Sequence, residues 1–285
     1  MEKELNKLHS IHVEMLQEID RICKNNDISY MLFAGTMLGA VRHNGFIPWD
    51  DDLDIVLLRE EYDRLLEVAP KELNQEKFFL QKEYSEHWPC HFSKLRRNNT
   101  SYIEKTIPKD KKQHQGIYID IFPVDNLSDN KLVQKIQFYS SKIVIAKSLH
   151  RRGYLTDSIL KKAFILLCRL LPVSPFLKVS QHRDKKDSEM VNTFYAASSK
   201  FEKSVFKREW FEKTKLAGFE DREYPISLYY DEVLSTLYGD YMKLPDEEER
   251  KCKVHALKID FDNSYEKYLS WQENQRIDVY TRSIR

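Results

Sequence analysis

Asp52 and Asp54 stand on either side of Leu53 in the run Pro48-Trp-Asp-Asp-Asp-Leu-Asp-Ile-Val. Leu53, Ile55 and Leu57 alternate with Asp52, Asp54 and Val56, which is the two-residue period of a strand. Residues i and i+2 of a strand share a face. The two carboxylates therefore point the same way, about 7 Å apart along the strand, and repel each other unless a cation lies between them. A hard divalent ion with oxygen ligands fits, most simply Mg²⁺ or the similar Mn²⁺. A second run, Ile119-Asp-Ile-Phe-Pro-Val-Asp, places Asp120 between apolar neighbours on another predicted strand. Three strand carboxylates can hold one or two metals that clamp a transferring phosphoryl group. Asp50 and Asp51 lack this alternation and read as solvated loop acids.

Chemistry of this kind also needs a phosphate cradle. Gly35-Thr36 lies at a predicted strand-to-helix turn, where backbone N–H groups face outward and favour an anion. The chain has only seven glycines, and Gly35, Gly39 and Gly45 fall close together, so backbone geometry matters there. Arg42 follows the turn by one or two helical turns and could reach a phosphate, or make a surface salt bridge. Lys94 alternates on a predicted strand between the two acidic ones and could face the same site. Trp49 could stack on a base, a sugar or a quaternary ammonium, or anchor its loop. His43 reads as a loop support, and His114 precedes the third acid. His87, Cys90 and His91 resemble metal spacing, but Pro89 interrupts any helix there. His9 and His12 read as helix-surface residues.

The elements that must position these residues follow from periodicity and breakers. Leu8, Ile11, Met15, Ile19 and Ile22 predict an amphipathic helix over 3–24. A strand over 29–34, a helix over 36–43 and a loop over 44–49 lead to the first acidic strand. A helix over 59–69 ends at Pro70. Further strands are predicted at 78–84, 91–97 and 117–122. After Asp129 the pattern becomes helical, over 131–149, 158–171 and 179–198. Then come an extended excursion at 218–227, a helix at 228–238, and a charged tail from Asp246 that lies on the surface. The fold class is α+β. With no Gly/Ser/Pro linker, residues 1–128 read as an α/β core and 129–285 as a mainly helical extension packed on it within one domain.

Lys and Arg total 46 against 45 Asp and Glu, a net charge of +1, which argues against a nucleic-acid partner. With 41% hydrophobic residues the chain is too apolar for disorder. Cys23, Cys90, Cys168 and Cys252 are far apart with no CxxC, so they read as reduced thiols. The N-terminus lacks the apolar stretch of a secretory signal, and no segment reaches the length of a spanning helix. A cytoplasmic protein is expected. Basic residues at 150–152, 161–162, 169 and 178 surround the apolar stretch 159–177. That pattern fits either a core helix or peripheral contact with an anionic membrane, such as the inner face of the plasma membrane.

The chain resembles the LicD family of the nucleotidyltransferase-fold superfamily. The superfamily pattern of a Gly-Thr turn, a strand with two alternating acids and a third acid on a later strand is met by Gly35-Thr36, Asp52-Leu-Asp54 and Asp120. Closer still are GTMLGAVRHNGFIPWDDDLDI at 35–55, HQGIYIDIFPVDNL at 114–127 and LYGDYMKLP at 237–245. The resemblance implies a nucleotidyltransferase-like mixed-sheet core with flanking helices. It implies a metal-dependent transferase that moves a phospho-alcohol, most simply phosphocholine, from a CDP-linked donor such as CDP-choline. The acceptor would be a sugar hydroxyl of a bacterial surface glycan or its lipid-linked precursor, and CMP would leave. Asp52, Asp54 and Asp120 would be metal ligands, and Gly35 and Thr36 would hold donor phosphate. Tyr238 and Tyr241, in the third block, are the first candidates for an aromatic box around a quaternary ammonium. Two alternatives share the acids: a nucleotidyltransferase that releases pyrophosphate from an NTP, and a non-catalytic nucleotide-binding scaffold.

Overall fold

Leu8, Met15, Ile19 and Ile22 are fully shielded from solvent along one face of helix α1 (Glu2–Asn25), as their spacing demands. The structure, a computed structural model, describes residues 2–182, 188–196, 200–250 and 255–282. After α1 come β1 (Met31–Leu32), α2 (Ala34–His43), β2 (Asp54–Leu58), α3 (Arg59–Glu72), β3 (Phe78–Gln81), β4 (Ser93–Arg97), β5 (Ser101–Glu104) and β6 (Tyr118–Leu127). Three helices follow, α4 (Lys131–Arg152), α5 (Ile159–Arg169) and α6 (Val173–Gln181). The rest comprises β7 (Met190–Asn192), β8 (Val205–Lys207), α7 (Glu209–Glu212), β9 (Thr214–Phe219), β10 (Arg222–Ser227), α8 (Tyr230–Tyr238), α9 (Glu247–Arg250), β11 (Ala256–Asp260), a 3₁₀ turn (Tyr265–Tyr268) and α10 (Leu269–Arg282).

The described residues form an α+β fold around a mixed sheet in the order β1-β2-β6-β4-β3, with β7 and β8 continuing from the far end of β6. β2 runs parallel to β6, and the other pairings are antiparallel. The central strand is β6. Ile119, Ile121 and the preceding Ile117 point into the core, which leaves Asp120 and Phe122 on the opposite face. Pro123 pairs with Leu57 of β2 on one side and is tolerated in this central strand because on the other side it falls between two pairings. β4 pairs only as far as Ile121, and β7 begins at Asp125. At the end of β6, Asp125 forms a buried two-pronged ion pair with Arg59, at 2.6 and 3.0 Å, which fastens α3 to the sheet. Asn130 caps α4 by accepting from Leu132 N–H at 2.9 Å, and Gly153 closes it at φ 81°.

Several expected elements differ from the observed ones. The first strand is only two residues long, and its helix begins at Ala34, with Gly35 and Thr36 in its first turn. Asp52 precedes β2 rather than lying in it. α3 continues to Glu72 with Pro70 inside its last turn, so only the one hydrogen bond from position 70 back to Leu66 is lost. Of the expected helix over 179–198, residues 179–181 are the last turn of α6, and the described residues 188–196 are not helical. Residues 190–192 are a strand instead, and Asn192 donates from Nδ2 to the carbonyls of Asp125 and Asn126. The excursion near 218–227 is the second half of a hairpin that begins at Thr214. The tail also contributes a strand, β11, which pairs with β5. Among the described residues, Cys23, Cys90 and Cys168 are free and buried. Cys252 lies outside the described residues.

Candidate active site

Sheet register brings the acids together. Asp54 at the start of β2 is paired with Asp120 of β6, and Asp120 is paired with Lys94 of β4. Paired positions on adjacent strands share a face, so Asp54, Asp120 and Lys94 form one row across three strands. Lys94 Nζ lies 3.0 Å from Asp120 Oδ1 and 3.8 Å from Glu104 Oε1. Asp52 stands two residues before Asp54, and Asp50 stands close beside it.

The backbone around Asp54 is tied on three sides. Its N–H donates to Thr36 Oγ1 at 2.8 Å. Its carbonyl accepts from Phe33 N–H at 3.0 Å, and the carbonyl of Leu53 accepts from Asp120 N–H at 2.9 Å. Thr36 thus joins the first turn of α2 to the acidic strand. A Cβ on Gly35 would sit 2.7 Å from Asp50 Oδ2, so only glycine lets this carboxylate lie against the helix N-terminus. Where the sequence suggests donor phosphate, an acid already sits.

The carboxylates crowd one another. Burial, then the charges of Asp50, Asp120 and Asp51, push Asp52 up to about 8. Burial and the charges of Asp52, Asp120 and Asp50 hold Asp54 well above the ordinary range. Burial, then Asp51, raises Asp50. Burial also raises Asp120, although Lys94 opposes it. Glu104 behaves in the opposite way. Burial alone would raise it, but Lys94, Arg152 and Arg96 outweigh that effect and hold it at about 2.

Asp51 and Asp50 are not solvated. Asp51 is buried and anchors the acidic loop. Its Oδ2 accepts from the Tyr102 hydroxyl of β5 and from His255 N–H, and its Oδ1 pairs with His255 Nδ1 at 2.7 Å. Sequence reading missed Tyr102, Glu104 and His255. Their partners lie far away in the chain, and nothing in the local pattern marks them.

The other candidates separate. Desolvation, then the charges of Asp54, Asp50 and Asp52, raise the Tyr238 phenol. The Tyr241 hydroxyl donates to Asp231 instead. Arg42 Nη1 donates to the Tyr241 carbonyl at 2.7 Å, and its Nε donates to His43 Nε2 at 3.0 Å. Arg42 therefore joins α2 to the 237–245 segment. Trp49 meets His43 edge-on at 5.9 Å and lies 6.0 Å from the Arg250 guanidinium. His12 is buried rather than on the helix surface. His9 stacks on Phe46 at 3.9 Å, and its Nε2 lies 2.8 Å from the Asp50 carbonyl oxygen. His114 accepts from Gly116 N–H at 3.0 Å and belongs to a neighbouring turn. His87 pairs with Asp110, and Cys90 Sγ accepts from the Ser148 hydroxyl.

Among the described residues, no three His, Cys, Asp or Glu side chains converge on one point at ligating distance. The carboxylates stand side by side in a row. The chemistry of this donor set nevertheless fits a hard divalent cation. Asp52, Asp54 and Asp120 supply only oxygen ligands, and each is raised by burial and by neighbouring carboxylates that a cation would neutralise.

The mixed sheet, the glycine turn into α2 and the acid row define a nucleotidyltransferase-type α+β domain. Residues 27–150 match the LicD/FKTN/FKRP nucleotidyltransferase domain. Over these residues the chain is similar to the LicD family. It is 27% identical over 255 residues to the lipopolysaccharide cholinephosphotransferase LicD of Haemophilus influenzae, a match that spans 87% of this chain and 94% of that protein. A shorter stretch of 58 residues is 40% identical to an uncharacterised protein of Rickettsia prowazekii, covering 20% of this chain and 22% of that one.

Proposed function

We propose that this chain transfers a phospho-alcohol group, phosphocholine first among candidates, from a CDP-linked donor to a sugar hydroxyl of a lipopolysaccharide or related surface glycan, releasing CMP. The observation that carries the reading is the row Asp54–Asp120–Lys94 with Asp52 beside it. Support also comes from the Haemophilus influenzae cholinephosphotransferase, similar along nearly its whole length.

In this reading Asp52, Asp54 and Asp120 hold Mg²⁺ or Mn²⁺. Once bound, such an ion neutralises charge on the phosphoryl oxygens. The bond that forms joins the sugar oxygen to the phosphorus bearing the alcohol. The bond that breaks joins that phosphorus to the oxygen leaving with CMP. Asp120 accepts the proton of the attacking hydroxyl, and Lys94 at 3.0 Å favours its ionised form. Gly35 leaves space for donor phosphate at the start of α2, where Asp50 gives way to it. Thr36 acts through Asp54, holding its N–H. Tyr238, whose phenol is raised by the charges of the acids, would meet the alcohol or the nucleotide. Arg42, Trp49 and Tyr241 support the rim of the site.

The test is product release from CDP-choline, CDP-ribitol, CDP-glycerol and CTP, each with Mg²⁺ and a panel of glycan acceptors. CMP release from one CDP-alcohol, lost in Asp52→Asn and Asp120→Asn, is expected. Pyrophosphate release from CTP would replace this reading with nucleotidyl transfer. Mg²⁺–nucleotide binding without any turnover would favour a scaffold.

A further inference from the structure

The strongest feature outside the acid row is a basic, apolar surface built by α4, α5 and α6. In α5, Cys168 is the only buried residue. Leu160, Leu167 and Leu170 share one face and are 83%, 64% and 80% exposed. On α4, Leu132, Ile136 and Tyr139 make a second stripe at helical spacing, 76%, 55% and 65% exposed. The two helices meet along an apolar groove of about 450 Å³ lined by residues that include Tyr139 of α4 and Phe164 of α5. The apolar surface is thus continuous. Water-soluble surfaces rarely leave so large a contiguous apolar patch uncovered.

Charge identifies what covers it. From Asn130 to Gln181 the chain holds ten Lys and Arg and a single acid, Asp157. This stretch is net +9 in a chain of net +1, so the rest of the molecule is net −8. Lys161, Lys162 and Arg169 of α5 and Lys178 of α6 are exposed. Apolar side chains rimmed by cations match the boundary between anionic headgroups and acyl chains. A protein partner would need a matching acidic rim. A second copy would bring the same +9 surface face to face with itself.

Geometry argues for lying on the membrane rather than crossing it. Among the described residues no single helix is long and apolar enough to span, and α5 and α6 bend by 104° where they meet. The 11 residues of α5 extend about 16 Å, half of a hydrocarbon core. The surface also has a rigid link to the acids. Lys147 of α4 donates to carbonyls at the end of α5. Arg152, at the far end of α4, lies 3.2 Å from Glu104, which in turn faces Lys94.

We propose that α5, with the exposed stripe of α4, is a docking surface for an anionic lipid bilayer. The face seats its leucines among the acyl chains, and its lysines and arginines lie in the headgroup layer. Vesicle binding can be read without any transfer assay, so the proposal stands or falls apart from the proposed reaction.

The test is flotation of the full chain with phosphatidylglycerol-rich vesicles and with pure phosphatidylcholine vesicles. Three proteins are compared: wild type, Leu160→Glu/Leu167→Glu, and a control, Lys24→Glu/Lys71→Glu, whose lysines are exposed on α1 and α3. Wild type is expected to float with the anionic vesicles, and high salt should weaken this. The leucine variant should lose at least about tenfold in bound fraction while keeping its circular dichroism and melting temperature. The control should float like wild type. Absence of wild-type flotation, or equal loss in the control, overturns the proposal. So does a concentration-dependent dimer in light scattering that the leucine variant abolishes while wild type stays off vesicles, which would assign the face to a second copy.

Discussion

A hydrogen bond to the first turn of α2 helps to hold Asp54 in place. Thr36 Oγ1 accepts from Asp54 N–H at 2.8 Å. In Thr36→Val this N–H would be buried without a partner, at a cost of about 1–3 kcal/mol. Chemical denaturation should show that loss, and Thr36→Ser should restore most of it. Asp54 itself belongs to a different class. It stands in a crowd that already penalises its charge, so Asp54→Asn removes repulsion rather than support. The metal-free melting temperature of Asp54→Asn should therefore not fall. If the proposed reaction holds, its transfer rate should drop about 10²–10³-fold, and any stabilisation of the wild type by Mg²⁺ should disappear. A large fall in the metal-free melting temperature would instead make Asp54 a structural residue. Asp52, Asp54 and Asp120 were readable in the sequence because apolar residues alternate with them. Asp51 was not, because its partners Tyr102 and His255 lie about 50 and 200 positions away.

At the scale of elements, Gly35 and Gly39 resolve into close approaches between α2 and the loop that follows it, and Gly45 into one between that loop and Glu220. A Cβ on Gly39 would lie 2.4 Å from the carbonyl oxygen of Gly45 and 3.2 Å from the Ile47 nitrogen. Both neighbours are backbone and cannot turn aside. The far end of the loop carries the acids, and its middle is pinned by Glu220 of the β9–β10 turn, whose Oε1 accepts from Phe46 N–H at 2.9 Å. Gly39→Ala should cost about 1–3 kcal/mol through overpacking and should lower kcat through the displaced acids. Unfolding midpoints and steady-state kinetics would read the two effects separately. An unchanged midpoint would mean that the loop can shift freely. Helix α1 and the alternation within β6 could be read from sequence because their patterns are local. β5 and β11 could not. Each is four or five residues long, and they pair across some 150 positions, so only the folded chain makes either of them a strand. The expected helix over 179–198 failed for the same reason, since residues 190–192 are claimed by the far end of β6.

Across the whole molecule, buried histidines and the acid row make opposing contributions to stability against pH. Burial lowers His12, His91 and His114 from 6.5 to about 3, each in a different part of the fold. A histidine lowered in this way binds its proton more readily in the unfolded chain. Its contribution is complete above about 6.5 and is lost as pH falls toward 3. For each histidine that loss amounts to about 2 kcal/mol at pH 5, and sites this far apart should add. The acid row has the reverse sign. Asp52, raised to about 8, favours its neutral form in the fold, so metal-free stability declines as pH rises from about 4 to 8. A bound divalent ion favours the ionised carboxylates and removes that decline. Urea unfolding across pH should then give a rise to a plateau above about 6.5 with Mg²⁺ present, and a rise followed by a fall with a chelator. His91 gives the sharpest check, because its Nδ1 is buried without a hydrogen bond among the described residues, and its ring packs 4.2 Å from that of Tyr195. His91→Phe keeps the ring and removes the titration. It should reduce the slope of the acid limb by about 1.4 kcal/mol per pH unit and leave the chelator-dependent fall at higher pH unchanged. A His91→Phe profile that parallels wild type below pH 6 would mean that this imidazole is charged in the folded protein.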